Sequence, residues 1–151
     1  MSGKSMRQAA AAVGVILSLL FVGMELRQNT LAVSATALND LATGSRDWTL
    51  AIASSPELAA AMVDWLSGQD LEPTERLMAV STVIALLRNV ENVFLQVDAG
   101  AVNESALVSY GFGGAGGPFD SPFFAEYWAA TKGSYNPDFV LAFEAARGLG
   151  D

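Results

Sequence analysis

Residues 9–24, AAAAVGVILSLLFVGM, form an unbroken run of apolar or small residues, which reaches Leu26 if the Glu25 carboxylate snorkels towards water. A helix over 9–26 rises ~1.5 Å per residue and covers roughly 27 Å, close to the hydrocarbon thickness of a bilayer, so the pattern predicts a transmembrane helix there. Ala10, Gly14 and Ser18 recur every fourth residue on one of its faces, an arrangement that permits close helix approach and is also ordinary in membrane spans. A basic start and an apolar run also head cleaved signal peptides. Here Phe21, Val22, Met24 and Glu25 fill the place where a peptidase needs small residues, and Ala35-Thr36-Ala37 comes too late. An uncleaved anchor is expected.

Past the span the apolar positions take a helical period. At 100° per residue Leu31, Ala35, Leu38, Leu41, Ala42, Trp48 and Ile52 gather on one side and Asn29, Thr36, Asp40, Thr43 and Asp47 on the other. This predicts that the anchor runs on into an amphipathic helix, with a break at Gly44. Ser55-Pro56-Glu57 combines an N-cap, a first-turn proline and an early acid, opening a helix through Leu66 that Gly68 ends. A third helix is expected from Pro73 to about Val97, stopped by Asp98-Ala99-Gly100, and a short fourth from Glu104 to Tyr110. Ser121-Pro122 and Asn136-Pro137 repeat the cap-and-proline signature and open helices over 122–131 and 137–147. No stretch alternates as a strand does. The fold class is therefore all-α: a transmembrane helix continuing into a small bundle of about five further helices, with 1–8 as the cytoplasmic N-terminus, 9–26 as the span and 27–151 as the helical ectodomain.

Composition narrows the chemistry. The chain has neither cysteine nor histidine, which removes structural zinc sites, histidine- or cysteine-ligated haem, iron–sulfur clusters, thiol catalysis and the Ser-His-Asp triad. An oxygen-only cation site needs clustered carboxylates, and the acids here are scattered. No catalytic, cofactor-binding or metal-binding residue is expected. Of the 16 acidic and 8 basic residues, only Glu25, Lys4 and Arg7 precede Arg27, which leaves 15 acids against 6 bases from Arg27 onward. Phosphate backbones repel such a domain, so no nucleic acid is expected among its partners. Lys4 and Arg7 before the span outweigh Arg27 after it, and the positive-inside rule then places the N-terminus in the cytoplasm and the ectodomain on the periplasmic side of an inner membrane.

Two polar clusters invite a functional reading. Glu25, Arg27, Gln28 and Asn29 form a collar at the expected membrane surface, either fixing the depth of the span or touching a neighbouring protein. In the third helix Arg88 and Glu91 are the only formal charges between Leu77 and Val97; they lie three residues apart, and Asn92 and Gln96 follow on the same stripe. A helix so apolar belongs at the centre of a bundle. Arg88, Glu91, Asn92 and Gln96 are thus candidates for a buried, mutually satisfied network or for a partner or ligand surface. GFGGAGGP, residues 111–118, lacks the Lys-Ser/Thr pair of a P-loop and the preceding strand of a Rossmann turn, and reads as a flexible linker.

The segment LSLLFVGMELRQNTLAVSA (17–35), the SPEL helix start, LLRNVENVFLQVDAG (86–100) and an aromatic segment ahead of a proline together resemble a family of small bacterial proteins with one N-terminal membrane helix and a helical domain. The resemblance covers most of the chain, and FVGMELRQNT and LLRNVENVFLQ are its most specific pieces. It implies no activity and carries over no functional residue. GFGGAGGP departs from the family pattern, in which a more polar helical stretch is expected. The expected function is a non-enzymatic, membrane-anchored envelope protein: an accessory subunit or interaction module whose partners are the bilayer and another membrane protein or a second copy, displaying the aromatic residues of 119–143. The alternative is a periplasmic sensor or small-ligand carrier with Arg88, Asn92 and Gln96 lining a pocket between helices.

Overall fold

The computed structural model describes residues 3–114 and 116–149, with side chains at Arg7 and from Ala12 onward apart from Ala115. The terminal amine, the side chains of Lys4 and Ala10, and Ala115 lie outside the described residues. The chain is all-α: α1 (Gly3–Ser54), α2 (Pro56–Ser67), α3 (Pro73–Asp98), α4 (Ser105–Ser109), α5 (Pro122–Thr131) and α6 (Pro137–Arg147), with short 3-10 turns at Pro118–Asp120 and Lys132–Ser134. Among the described residues two helices, α1 and α3, are long and apolar enough to cross a membrane. The chain divides into two units, Met1–Thr36 and Ala37–Asp151.

Among the described residues of Met1–Thr36 the helix buries none of its large apolar side chains. Val13, Val15, Ile16, Leu17, Leu19, Leu20, Phe21, Val22, Met24 and Leu26 are all exposed, on every side of the helix. A helix apolar all round has no stable place in water on its own. Thr30 and Ser18 return their hydroxyls to the carbonyls of Leu26 and Gly14, at 2.9 Å each, which satisfies those groups without water.

The second unit is a bundle whose helix starts follow the cap chemistry. Ser55 Oγ accepts from Leu58 N at 3.1 Å, Ser121 Oγ accepts from Phe123 N at 3.3 Å, and Asn136 Oδ1 accepts from Asp138 N and Phe139 N at 2.9 and 3.1 Å. At the head of α3 the Glu75 carboxylate accepts from Glu72 N at 3.0 Å. Gly68, at φ 66°, ends α2 in the left-handed region that glycine enters freely; a Cβ there would also sit 3.0 Å from Pro122 Cγ. The larger core gathers Trp65 of α2, Val83, Leu87 and Val90 of α3, Phe124 and Trp128 of α5, and Phe139 and Phe143 of α6. A smaller cluster joins Ala37 and Leu41 to Val93 and Val102. Each of the three tryptophan N–H groups has an acceptor: Trp48 donates to Thr82 O, Trp65 to Pro118 O and Trp128 to Glu144 Oε1, all at 3.0 Å.

Three expectations are corrected. No break occurs at Gly44; the helix continues to Ser54, and the missing side chain at Gly44 leaves room for Asn89, whose Oδ1 would lie 2.9 Å from a Cβ at that position. The packed stripe of α1 is Ala37, Leu41, Gly44, Trp48 and Ile52, while Leu31, Ala35, Leu38 and Ala42, expected on the same side, are exposed. Room decides here: the small residues Ala37 and Gly44 accept neighbouring side chains, and Leu38, one position from Ala37, turns outward. The aromatic residues of 119–143 are no display surface, since Phe119, Phe124, Trp128, Tyr135, Phe139 and Phe143 are buried against one another.

Leu41→Ala removes a fully buried side chain and is predicted to cost about 2–5 kcal/mol, whereas Leu50→Ala, on an exposed position of the same helix, is predicted to stay within about 0.5 kcal/mol. Thermal unfolding of the detergent-solubilised chain, followed by tryptophan fluorescence, checks the contrast.

Candidate functional site

Arg88 and Glu91 stand one turn apart on α3, and the helix alone brings them together. Arg88 Nη1 donates to Glu91 Oε2 at 2.7 Å. The second carboxylate oxygen, Oε1, accepts the backbone N–H of Asn136 at 2.7 Å, the residue that caps α6. A buried carboxylate is thereby satisfied twice, and it ties the middle of α3 to the start of the last helix. The guanidinium extends the tie: Nη2 donates to Ser134 O at 3.1 Å and to its hydroxyl at 3.3 Å, and its carbon lies 3.9 Å from the centre of the Tyr135 ring. Tyr135 and Tyr127 share a hydroxyl–hydroxyl hydrogen bond of 3.0 Å.

The electrostatics follow from burial. Glu91 is 8% exposed, while the Arg88 side chain keeps 45% of its surface. The hydrogen bond that Arg88 donates to Glu91 raises the Arg88 pKa, and partial burial opposes it. Burial raises the Tyr135 phenol well above its ordinary value, and the hydrogen bond with Tyr127 adds to the shift. Neither of these two shifts brings a charge change near neutrality.

Asn92 is exposed and Gln96 half-buried, and neither side chain joins the Arg88–Glu91 bonds. A groove of about 380 Å³ beside the node is open and lined by Lys132, Gly133, Tyr135, Pro137, Val140 and Leu141. Its floor is almost wholly apolar. Of the collar residues, Glu25, Arg27, Gln28 and Asn29 are all exposed, and Glu25 and Asn29 edge a shallow depression with Val22 and Leu26. Among the described residues no three carboxylates come together as a cation would require.

A second ionic node was not foreseen. Arg147, in the last turn of α6, is only 5% exposed at its side chain; Nη1 donates to Asp120 Oδ1 at 2.8 Å and Nη2 to Gly111 O at 2.7 Å. The guanidinium lies 4.8 Å from the Phe119 ring centre and 5.3 Å from that of Phe143. Burial pulls its pKa down and Asp120 pushes it back up. Together with Phe112, which stacks on Phe94 at 5.8 Å, this contact pins both flanks of the glycine-rich segment to the core. A basic residue in a last turn just ahead of a glycine is the sequence signal that could have pointed to it.

No protein-family model matches this chain, and neither the curated proteins nor the solved structures contain a match to it.

Two measurements test the node. Glu91→Ala strands the Asn136 N–H, while the exposed guanidinium keeps Ser134 and water, and is predicted to cost about 1–3 kcal/mol, more than Arg88→Ala, which leaves the carboxylate with its backbone partner. Because the Tyr135 pKa is raised on folding, its contribution is complete below the unfolded value of about 10 and is lost as pH climbs towards the folded one. Absorbance titration should show one phenol ionising late, and Tyr135→Phe should remove that late step together with part of the alkaline loss of stability.

Proposed function

We propose that the chain is a non-enzymatic, membrane-anchored envelope protein that serves as an accessory subunit or interaction module. One observation carries the reading: a single helix offers an apolar surface on every side over the length of a bilayer, and its continuation joins a bundle whose aromatic and aliphatic side chains are spent on its own core. The absence of histidine and cysteine from the sequence, and polar nodes that tie helices together, support a structural role over a catalytic one.

Lys4 and Arg7 ahead of the span support a cytoplasmic N-terminus, with the bundle on the periplasmic side of a bacterial inner membrane. The collar Glu25, Arg27, Gln28 and Asn29 then falls at the membrane–water boundary. The second reading, a ligand-binding sensor domain, draws on the open groove at Tyr135 and Leu141. Among the described residues Lys132 is the one charged residue lining that groove, and its ammonium is bonded to Glu144 at 2.7 Å.

The chain is predicted to stay in the membrane pellet through carbonate and high-salt washes. A reporter active only in the cytoplasm should be silent when fused after Asp151. Release by carbonate would remove the anchor, and an active fusion would reverse the orientation.

A further inference from the structure

Helix α6 is fastened at three points, and a carboxylate takes part in each. At its cap, Asn136 N donates to Glu91 Oε1 at 2.7 Å. Farther along, Glu144 Oε1 accepts from Lys132 Nζ at 2.7 Å and from Trp128 Nε1 at 3.0 Å. In the last turn Arg147 Nη1 donates to Asp120 Oδ1 at 2.8 Å. Among the described residues the side-chain bonds that join α1 to α3, and α2 to residues 118–121, run between neutral groups instead: Trp48 to Thr82 O, Trp65 to Pro118 O and Ser121 to Trp65 O. Glu57 and Glu75 also accept hydrogen bonds, but each does so within the first turn of its own helix. The carboxylate ties between elements are thus concentrated on one helix.

Without histidine, carboxylates are the side chains that take up protons between neutrality and acid. Losing those negative charges does not affect the three basic partners alike. Arg88 and Lys132 each keep 45% of their side-chain surface and turn to water instead. Arg147 has no such recourse. Its side chain is 5% exposed, its guanidinium lies against the Phe119 and Phe143 rings, and its Nε has no acceptor among the described residues. A guanidinium does not shed its proton in a protein, so once Asp120 is neutral it remains a buried charge with the Gly111 carbonyl as acceptor. An intact buried ion pair adds little net stability, but a pair that loses one charge leaves the other uncompensated and costly. Water reaches Arg147 only if the last turn of α6 moves outward.

We infer that α6 is an acid-released latch: protonation of Asp120 expels Arg147 and, with Glu144 and Glu91 discharged as well, frees α6 while α2 and α3 stay packed. The groups facing each carboxylate set the sign. Asp120 faces Arg147 and the Gly116 N–H; Glu144 faces Lys132 and the Trp128 N–H; Glu91 faces Arg88 and the Asn136 N–H, with the Tyr135 ring under the guanidinium and Tyr127 bonded to Tyr135. The phenols apart, every facing group is a cation or an N–H donor and favours the charged carboxylate. Glu126 and Asp138 are exposed and take part in none of these bonds. Lys132 and Trp128 hold the Glu144 carboxyl below the usual carboxylate range. A pKa lowered on folding contributes stability above the unfolded value, about 4.3 for glutamate, and that contribution is lost as pH falls through the folded one. Release uncovers rings, because Phe143 packs on Phe112, Phe119, Phe124 and Trp128.

Hydrogen–deuterium exchange of the detergent-solubilised full chain tests the latch, read peptide by peptide from pH ~7 to about 3.5 and corrected for the intrinsic pH dependence of exchange. Residues 137–147 should lose protection several-fold at a higher pH than residues 79–93 of α3. Asp120→Asn should loosen α6 already at neutral pH. Adding Arg147→Met, which leaves no buried cation to expel, should restore protection and move the opening of α6 to lower pH than in the wild type. Loss of protection in α6 and α3 at the same pH is general acid unfolding and overturns the latch, as does an α6 that stays protected throughout. So does an Asp120→Asn, Arg147→Met chain whose α6 opens at the wild-type pH. The wild-type comparison of α6 with α3 decides the matter by itself if a variant fails to fold.

Discussion

Helix α3 is the surface against which the rest of the bundle is built. Ala79, Val83, Leu87, Val90 and Val93 are completely excluded from solvent, and α2, α4 and α6 all pack on it. Each valine or leucine so placed contributes on the order of 1.5–3 kcal/mol, an upper figure because unfolded chains already bury part of that surface. The same apolarity makes α3 long and greasy enough to cross a membrane. What distinguishes it from the start of α1 is its company: its apolar side chains have protein partners, whereas among the described residues the large apolar side chains of α1 from Val13 to Leu26 are exposed.

An apolar central helix leaves few polar groups to orient the elements around it, and the ones present are used for that purpose. Glu91 fixes the start of α6 through the Asn136 N–H, and Arg88 fastens the preceding turn through Ser134 and the Tyr135 face. At the far end of α6, Arg147 does the same for the glycine-rich segment, through Gly111 and Asp120. Both ends of the last helix are thus held by an arginine over aromatic rings with a carboxylate partner. Such ties supply orientation more than energy, since desolvation offsets much of what a buried ion pair gains.

Much of this was legible in the residues. Caps and prolines placed the starts of α2, α5 and α6 to within a residue, because those signals act locally and need no knowledge of neighbours. The Arg88–Glu91 pair was legible from helical spacing alone. The packed face of α1 was legible only in part: Leu41, Trp48 and Ile52 were expected on it and pack, but Leu31 and Leu38 outweigh Ala37 and Gly44 on any hydropathy reckoning, yet the small positions are where other side chains find room, and only the fold reveals whose they are. The aromatic residues were misplaced for a related reason. Phe119 and Phe124 are too far from Phe143 in sequence to announce that they meet it. Asn92 and Gln96 share a stripe with Arg88, but the neighbouring turn offers partners only to Arg88 and Glu91.

The proposed single-pass architecture depends on α3 lying in water-soluble protein, and thiol labelling of α3 tests that most directly. Ser81 and Asn92 are exposed on its outer side and eleven residues apart, about 16 Å along the helix. In ruptured membranes of the full chain, Ser81→Cys and Asn92→Cys should both react with a water-soluble, membrane-impermeant maleimide, while Leu20→Cys in the span should not. Shielding of both α3 positions, with reactivity recovered only in detergent, would place α3 in the bilayer and contradict the account.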